Sequence, residues 1–458
     1  MIPARKLAPA ISLLLLAVPL AAADGDLDPT FWSDGKAVLG GTGSFGISAV
    51  VVAPDDRVVV VGTHDPGDGV WEWYWRAVGD TAAGSGCYYS PPGAGSLGEA
   101  TAAAFDSAGR LLVAGWGGLL GAEQMAVARF SYPDCILDAS FDDDGYWTIN
   151  FNSGTEAVTA IAVDFASGQI ALGGRFTLDS GGNTYSIIGL LDGTGEPVDS
   201  FNLDGMTSFY GQPTAENSRP VADIAFDQAG NILVPQTYFF GPNADWLVTR
   251  LTPAGDFDLT FGDGTGVRRV AFDLGGPNAD EDRLFALARD PNTGNLLLVG
   301  EAQTQNGTAL AIARLLPLGA LDETFSGDGK VDLSFGNAHT RLEDVAVDGL
   351  GRLLVAGFLD YPTGDSDVIA LRFDANGALD ASFGFGGLSL IAFDFGPDPD
   401  QDDYGRALAI QAGRVVVAGD VEATTDSDFL PGLARLKNAL IFADGFESGE
   451  SGQWPAAL

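Results

Sequence analysis

Histidine is almost missing from this chain of 458 residues, occurring only at His64 and His339. That excludes a histidine-rich metal centre and leaves few bases for a His-activated nucleophile. Cysteine is limited to Cys87 and Cys135, so there is no CxxC motif and at most one disulfide. Neither HExxH nor GxSxG occurs. Cationic residues are scarce: 23 Lys and Arg stand against 62 Asp and Glu, a formal charge of −39. A surface of that sign repels nucleic acid and anionic lipid, and favours solubility and divalent counter-ions. No segment beyond the N-terminal residues approaches the ~18 uninterrupted apolar residues of a membrane span.

The N-terminal residues have the pattern of a targeting segment. Arg5 and Lys6 make a basic start, Leu7–Leu20 is an apolar stretch, and Ala21-Ala22-Ala23 supplies a small-residue cleavage site. Residues 1–23 are therefore expected to be a signal peptide. The chain from Asp24 is expected to be exported: secreted, at the cell surface or periplasmic. No Cys follows the cleavage site, which argues against a lipid anchor. In an oxidising compartment Cys87 and Cys135 are candidates for a disulfide, although spacing alone does not establish the Cα separation.

One phrase recurs seven times. It is clearest as LEDVAVDGLGRLLVAG (Leu342–Gly357): an apolar alternation, an Asp-Gly turn and a burst of β-formers ending in Gly. The other copies end at Gly62, Gly115, Gly174, Pro235, Gly300 and Gly419. A period of about 40–60 residues in a strand-rich chain marks a β-propeller or a related array. A second phrase alternates with it, as in LDASFDDDG (Leu137–Gly145) and LDETFSGDG (Leu321–Gly329). A third is an alternating strand bearing arginine: Arg76, Arg129, Arg250, Arg314, Arg372 and Arg435, with Gly189 in the third unit. Each unit offers about four strands, so the expected fold is all-β, a seven-bladed β-propeller over residues 24–437. The arginines Arg129, Arg250, Arg314 and Arg372 are followed by Asp138, Asp258, Asp322 and Asp380. Arg435 has no LDxxF downstream and Asp28 has no strand arginine upstream. Bringing these two together would close the ring.

These motifs as a set resemble the delta-60 repeat family of bacterial exported β-propellers, over roughly residues 25–437. The first unit departs from the pattern, with SGCYYSPPGAG (Ser85–Gly95) where LDxxF belongs. The resemblance implies the fold and no particular activity. The tail, residues 438–458, carries FADGFESGESGQW (Phe442–Trp454), which resembles a DGFESG-type terminal motif of exported gammaproteobacterial proteins.

Candidates for chemistry are few. GTGSFG (Gly41–Gly46) matches GxGxxG but opens no helix and reads as a turn. The Arg and Asp columns, repeated around a ring, read as structural. Asp142, Asp143 and Asp144 precede Gly145, and Asn278–Asp282 and Asp398–Asp403 are acidic insertions. Such loops are candidates for Ca²⁺, which takes six to eight oxygens, or are solvated surface. Trp71, Trp73 and Trp75 alternate along one strand and share a face. Aligned on Arg76, Trp73 and Trp75 fall where other units carry small residues such as Ala126 and Ala128. They are either an aromatic shelf for a sugar or peptide, or local repacking of a degenerate blade. The expected function is a non-catalytic binding or interaction module, with a surface glycan or protein as partner and a Ca²⁺ requirement as one form of it. The alternative is an exported hydrolase or dehydrogenase acting at the central channel mouth.

Overall fold

The computed structural model describes residues 24–438 apart from 93–96, 120, 152–153, 179–183, 209–219, 241–242, 276–280, 306, 336–337, 363, 394–401 and 423–427. The proposed signal peptide lies outside the described residues, as does the C-terminal tail apart from Asn438. Twenty-eight strands form seven four-stranded antiparallel sheets, and no helix occurs among the described residues. Blade 1 runs Ser44–Val52, Val58–Asp65, Glu72–Val78 and Cys87–Tyr89. The first strands of the blades line one central channel. The fold is a seven-bladed β-propeller.

The ring closes through the N-terminus. Blade 7 comprises Asp403–Gln411, Arg414–Glu422 and Phe429–Leu436, and its outer strand is Lys36–Val38. Lys36 pairs with Ala434 and Val38 with Gly432.

The conserved-looking phrases have distinct physical tasks. In the first strands of six blades a β-bulge interrupts the ladder, for example between Leu342 and Asp344 and between Ala100 and Ala102. The bulge presses a carbonyl against the second strand, where the repeat places glycine. A Cβ at Gly62, Gly115, Gly174, Gly300, Gly357 or Gly419 would overlap the carbonyl oxygen of Gly46, Glu99, Ala157, Arg283, Arg341 or Tyr404 respectively. Glycine is needed here for the close approach rather than for its φ. Blade 4 shows the consequence of losing it. Register places Gln236, not Pro235, in the glycine position, because Gln236 pairs with Leu247 three residues before Arg250. A side chain there prevents the close approach, and the first strand shrinks to Ala225–Phe226.

LDxxF builds a clasp. The Nε atoms of Arg129, Arg250, Arg314, Arg372 and Arg435 donate to Asp138, Asp258, Asp322, Asp380 and Asp28 at 2.8–2.9 Å. Each Nη2 donates to the Ser or Thr two residues beyond that Asp, such as Thr324 at 3.0 Å. The phrase's Phe lies under the guanidinium, with centroids of Phe141, Phe261, Phe325, Phe383 and Phe31 at 4.6–4.9 Å. Nη1 crosses to the following blade: Arg129 to the Gly193 carbonyl at 2.5 Å, Arg250 to that of Pro317 at 2.7 Å, and Arg314 to that of Ala375. In blade 6, Nη1 of Arg372 meets Asp24 and Asn438. In blade 7, that of Arg435 meets Asp80 of blade 1 at 2.5 Å.

Two blades lack the clasp, and for one the reason differs from the sequence alignment. Arg76 is out of register. Gly62 pairs with Tyr74, so the clasp position in blade 1 is Ala77, whereas Gly115 pairs with Ala126, three before Arg129. A slip of one residue turns a side chain to the other face of the sheet. Arg76 accordingly donates to the carbonyls of Gly84 at 2.7 Å and Gly40 at 3.4 Å, away from blade 2. In blade 3 the corresponding residue is Leu190, since Gly174 pairs with Ile187; Gly189 lies one residue earlier.

At the seam between blades 1 and 2 other interactions take the clasp's place. Cys87 and Cys135 are joined in a disulfide with a Cα separation of 5.4 Å. Cys135 sits in the loop position where blades 5 and 6 have Gly319 and Gly377, each packed on the clasp phenylalanine of the preceding blade, Phe261 and Phe325. Trp75 meets Phe130 and Tyr132 at 5.9 and 6.3 Å between centroids. Tyr132 also donates to Asp55 across the seam at 3.0 Å.

Two predictions follow from these contacts. Arg372→Ala strands the Asp380 carboxylate and should cost about 2–4 kcal/mol in chemical denaturation; a loss near zero would show that the clasp is not stabilising. The Cys87→Ser/Cys135→Ser double variant opens a loop spanning 48 positions. Chain entropy assigns that loop up to about 4 kcal/mol, so its unfolding midpoint should drop clearly, with local protease sensitivity at the seam between blades 1 and 2.

Candidate functional site

The bulges decide what faces the channel. At each bulge one extra residue is displaced, and Ser48, Thr101, Thr159, Phe285, Glu343 and Arg406 take this place, with Ala222 at the equivalent position of blade 4. The repeat is strict about the backbone and indifferent to these side chains, so seven residues of six types meet at one opening.

An ionic chain runs across that opening. Arg341 Nε lies 2.8 Å from Glu343, Glu343 is 3.1 Å from Arg406 Nη1, and Arg406 Nε is 2.8 Å from Asp420. Asp420 also accepts the Ile47 N–H at 2.6 Å, tying blade 7 to blade 1. Arg341 stacks over Phe285 at 4.2 Å, and Arg406 lies over Tyr404 at 5.0 Å. Burial alone would lower the Arg406 pKa, but Asp420 and Glu343 hold it above its ordinary value. Burial pushes the Asp420 carboxyl up, against the pull of Arg406.

Below the opening, two carboxyls form part of the channel wall. Asp223 and Asp344 follow the bulge position where other blades carry Ala49, Ala102, Ala160, Ala286 and Ala407. Asp223 accepts the N–H of Ile224 at 2.7 Å and, from blade 5, of Leu287 at 2.9 Å. Asp344 accepts Val345 at 2.7 Å and, from blade 7, Leu408 at 2.8 Å. Burial pushes Asp223 up to about 6 and Asp344, with Asp223 nearby, to about 7.

From the opening a groove of about 370 Å³ extends outward between blades 7 and 1. Its aromatic lining is Phe45, Trp71, Tyr404 and Phe429, and its charged lining Asp65, Glu99, Arg406 and Asp420. It lies on the face carrying the loops between second and third strands, opposite the clasps.

The tryptophans expected to act together are divided. Trp71 precedes the strand Glu72–Val78 and lines the groove. Trp73 and Trp75 are 1% and 2% exposed and pack in the core between blades 1 and 2, so neither presents a surface to a ligand. Trp73 Nε1 donates to the Trp116 carbonyl at 3.0 Å. The corrected register also sets Trp75 opposite Val61, the place of Val127 rather than Ala128 in blade 2.

Asp142, Asp143 and Asp144 lie in the LDxxF turn of blade 2 on the clasp face. Asp142 and Asp143 have φ of 46° and 63°, and the Asp144 carboxylate accepts the Tyr146 N–H at 2.9 Å. Among the described residues no group of three or more His, Cys, Asp or Glu side chains could hold a metal ion. Residues 278–280 and 398–401 of the acidic insertions lie outside the described residues. Asp282 and Asp403 begin first strands and accept the N–H of Phe272 at 2.7 Å and of Phe393 at 2.6 Å.

The sequence reading missed Arg341, Glu343, Arg406, Asp420, Asp223 and Asp344. The signal was divergence for four of them: Glu343 and Arg406 stand where blades 1 to 5 have uncharged residues, and Asp223 and Asp344 stand where the other five have alanine, whereas Arg341 and Asp420 have like counterparts in Arg283 and Glu301.

Among known proteins, one family match bears on architecture. A family model described as a β-propeller domain of unknown function (DUF5122) matches residues 292–325 and 351–383. No curated protein matches the chain. Among solved structures, a Dyadobacter fermentans protein of unknown function is 10% identical, with 88% of this chain and 98% of that chain covered and a TM-score of 0.48. An ulvan lyase of a new polysaccharide lyase family is 12% identical, covering 88% and 96%, with a TM-score of 0.46. A Trypanosoma rangeli sialidase is 9% identical, covering 88% and 57%, with a TM-score of 0.39. The family match and the seven four-stranded sheets agree that the chain is built on a β-propeller repeat.

The carboxyls imply a bounded pH range for stability. Burial alone would raise Asp28, Asp138, Asp258, Asp322 and Asp380, but hydrogen bonds from Ser or Thr and the clasp guanidinium outweigh it and hold them below the usual range. Their contribution is present above the unfolded value and is lost as pH falls through the folded one. Asp223 and Asp344 are raised, so theirs is present below the unfolded value near 3.8 and is lost as pH rises through about 6 to 7. The melting temperature should therefore peak at mildly acidic pH and decline toward pH ~8. The Asp223→Asn/Asp344→Asn variant should flatten that decline; an unchanged slope would remove these two carboxyls from the account.

Proposed function

We propose that this chain is an exported, non-catalytic propeller of delta-60-type repeats that binds a saccharide in the groove at its channel mouth. One observation carries the reading: Trp71, Tyr404 and Phe429 stand around fixed ionic groups at a single opening of small-molecule size. Flat aromatic surfaces cover the apolar faces of a sugar ring, while carboxylate and guanidinium groups meet its hydroxyls. Export is supported by the composition of residues 1–23.

The mouth suits positioning more than proton transfer. Glu343 is engaged by Arg341 and Arg406, and Asp420 by Arg406 and the Ile47 N–H. A hydrolase needs a carboxyl able to pass on its proton to substrate. Hydrolysis remains the second reading because Glu99 of blade 2 converges there with Arg406 and Asp420 of blade 7, and Asp420 is raised by burial.

The test is calorimetric titration with a panel of neutral, uronic and amino-sugar oligosaccharides. Trp71→Ala should weaken the best binder about tenfold, roughly the 1.4 kcal/mol scale of a good aromatic contact. The melting temperature should hold, since Trp71 lies outside the buried core clusters. Wild-type-like binding by the variant, or no binding across the panel, rejects the site. Release of reducing ends by the wild-type protein would replace binding with hydrolysis.

A further inference from the structure

We infer that the saccharide taken by this groove carries positive charge, as the ammonium groups of an amino-sugar chain. This rests on the saccharide reading above and adds the charge of the ligand.

Among the described residues that line the groove, the one cation is already neutralised: Arg406 lies 2.8 Å from Asp420 and 3.1 Å from Glu343. Two other anions lining it are not. Glu99 accepts the Trp116 indole N–H through Oε2 at 3.0 Å, and Asp65 accepts the Gly67 N–H through Oδ1 at 2.8 Å. Oε1 of Glu99 and Oδ2 of Asp65 have no protein partner among the described residues. Neither carboxylate meets a cation of the chain there.

The neighbouring groups fit the same charge. Trp71 and Tyr404 share the groove with these carboxylates. An aromatic face attracts an ammonium group by its quadrupole, with Trp the strongest. A carboxylate beside such a face adds a charge-assisted hydrogen bond. The formal charge of −39 makes the approach unfavourable for a uronic or sulfated chain and favourable for a cationic one. The arrangement therefore selects against the anionic polymers that Arg406 and Arg341, considered alone, would attract.

The experiment compares a glucosamine oligomer with its fully N-acetylated counterpart of equal length, at about pH 5.5, below the usual amine range. The full-length mature protein should bind the glucosamine oligomer about tenfold or more tighter, with the advantage shrinking as salt is raised. Glu99→Gln keeps an acceptor for Trp116 and should bring the ratio of the two affinities toward one; Asp65→Asn provides a second variant with the same readout. Equal affinities, or a preference for the acetylated oligomer, overturn the charge inference while leaving the saccharide reading intact. Binding of neither oligomer, nor of any saccharide in the wider panel, removes both. Binding of a short oligolysine in place of both oligomers overturns the saccharide class and makes the groove a site for basic peptide.

Discussion

The molecule depends on a buried guanidinium that belongs to two blades at once. A four-stranded blade cannot bury both of its faces alone, so its stability is that of its interfaces. Apolar packing between blades is strong but non-directional. The arginine clasp supplies direction. Nε and Nη2 are fixed by the aspartate and the hydroxyl of its own blade, so Nη1 has one place to go, a loop of the next blade. The aspartate orients its hydroxyl partner in turn, as Asp322 does Thr324 at 2.6 Å. Each element of LDxxF thus has a physical role: Leu packs under the turn glycine, Asp and Ser or Thr hold the guanidinium, and Phe supports its plane.

The missing clasps show how the fold adapts. Blade 1 has an alanine in the clasp position and lacks LDxxF, yet its seam with blade 2 carries the disulfide and a cluster of aromatic side chains that includes Trp73, Trp75 and Phe130. A covalent bond and indole rings there connect what one arginine connects elsewhere. Blade 4 has Gln236 where the bulged blades have glycine, and its first strand is reduced to two residues. Blade 4 keeps its seam with blade 5 at the channel through the Asp223 carboxylate, which accepts the Leu287 N–H.

The sequence made the fold legible because repetition reports backbone demands. Strand count, ring closure through Asp28 and Arg435, and the clasp partners were all visible as columns. Register was less so. Ungapped matching placed Arg76 and Pro235 one residue out, and only the pairing of Gly62 with Tyr74 and of Gln236 with Leu247 resolves them. The site was the least legible part. Repeats reveal what every blade shares, and a site on a propeller is made of what they do not share. Glu343, Arg406 and Asp344 carry no motif, and their proximity arises only when seven first strands are set around one axis. Conversely, Trp73 and Trp75 stood out in sequence because large rings were unusual there, and the explanation was a repacked seam.

The strand Lys36–Val38 gives the molecule an order of assembly. Asp28 and Arg435 are 407 residues apart, yet they form one clasp. Blades 1 to 6 can each form from a continuous stretch of chain as it emerges. Blade 7 cannot, because its outer strand is the first to be made and its other three are the last. The N-terminal segment must stay unpaired through nearly the whole of synthesis, a bare strand edge waiting for its neighbours. The ring cannot lock until the final strand has followed the rest.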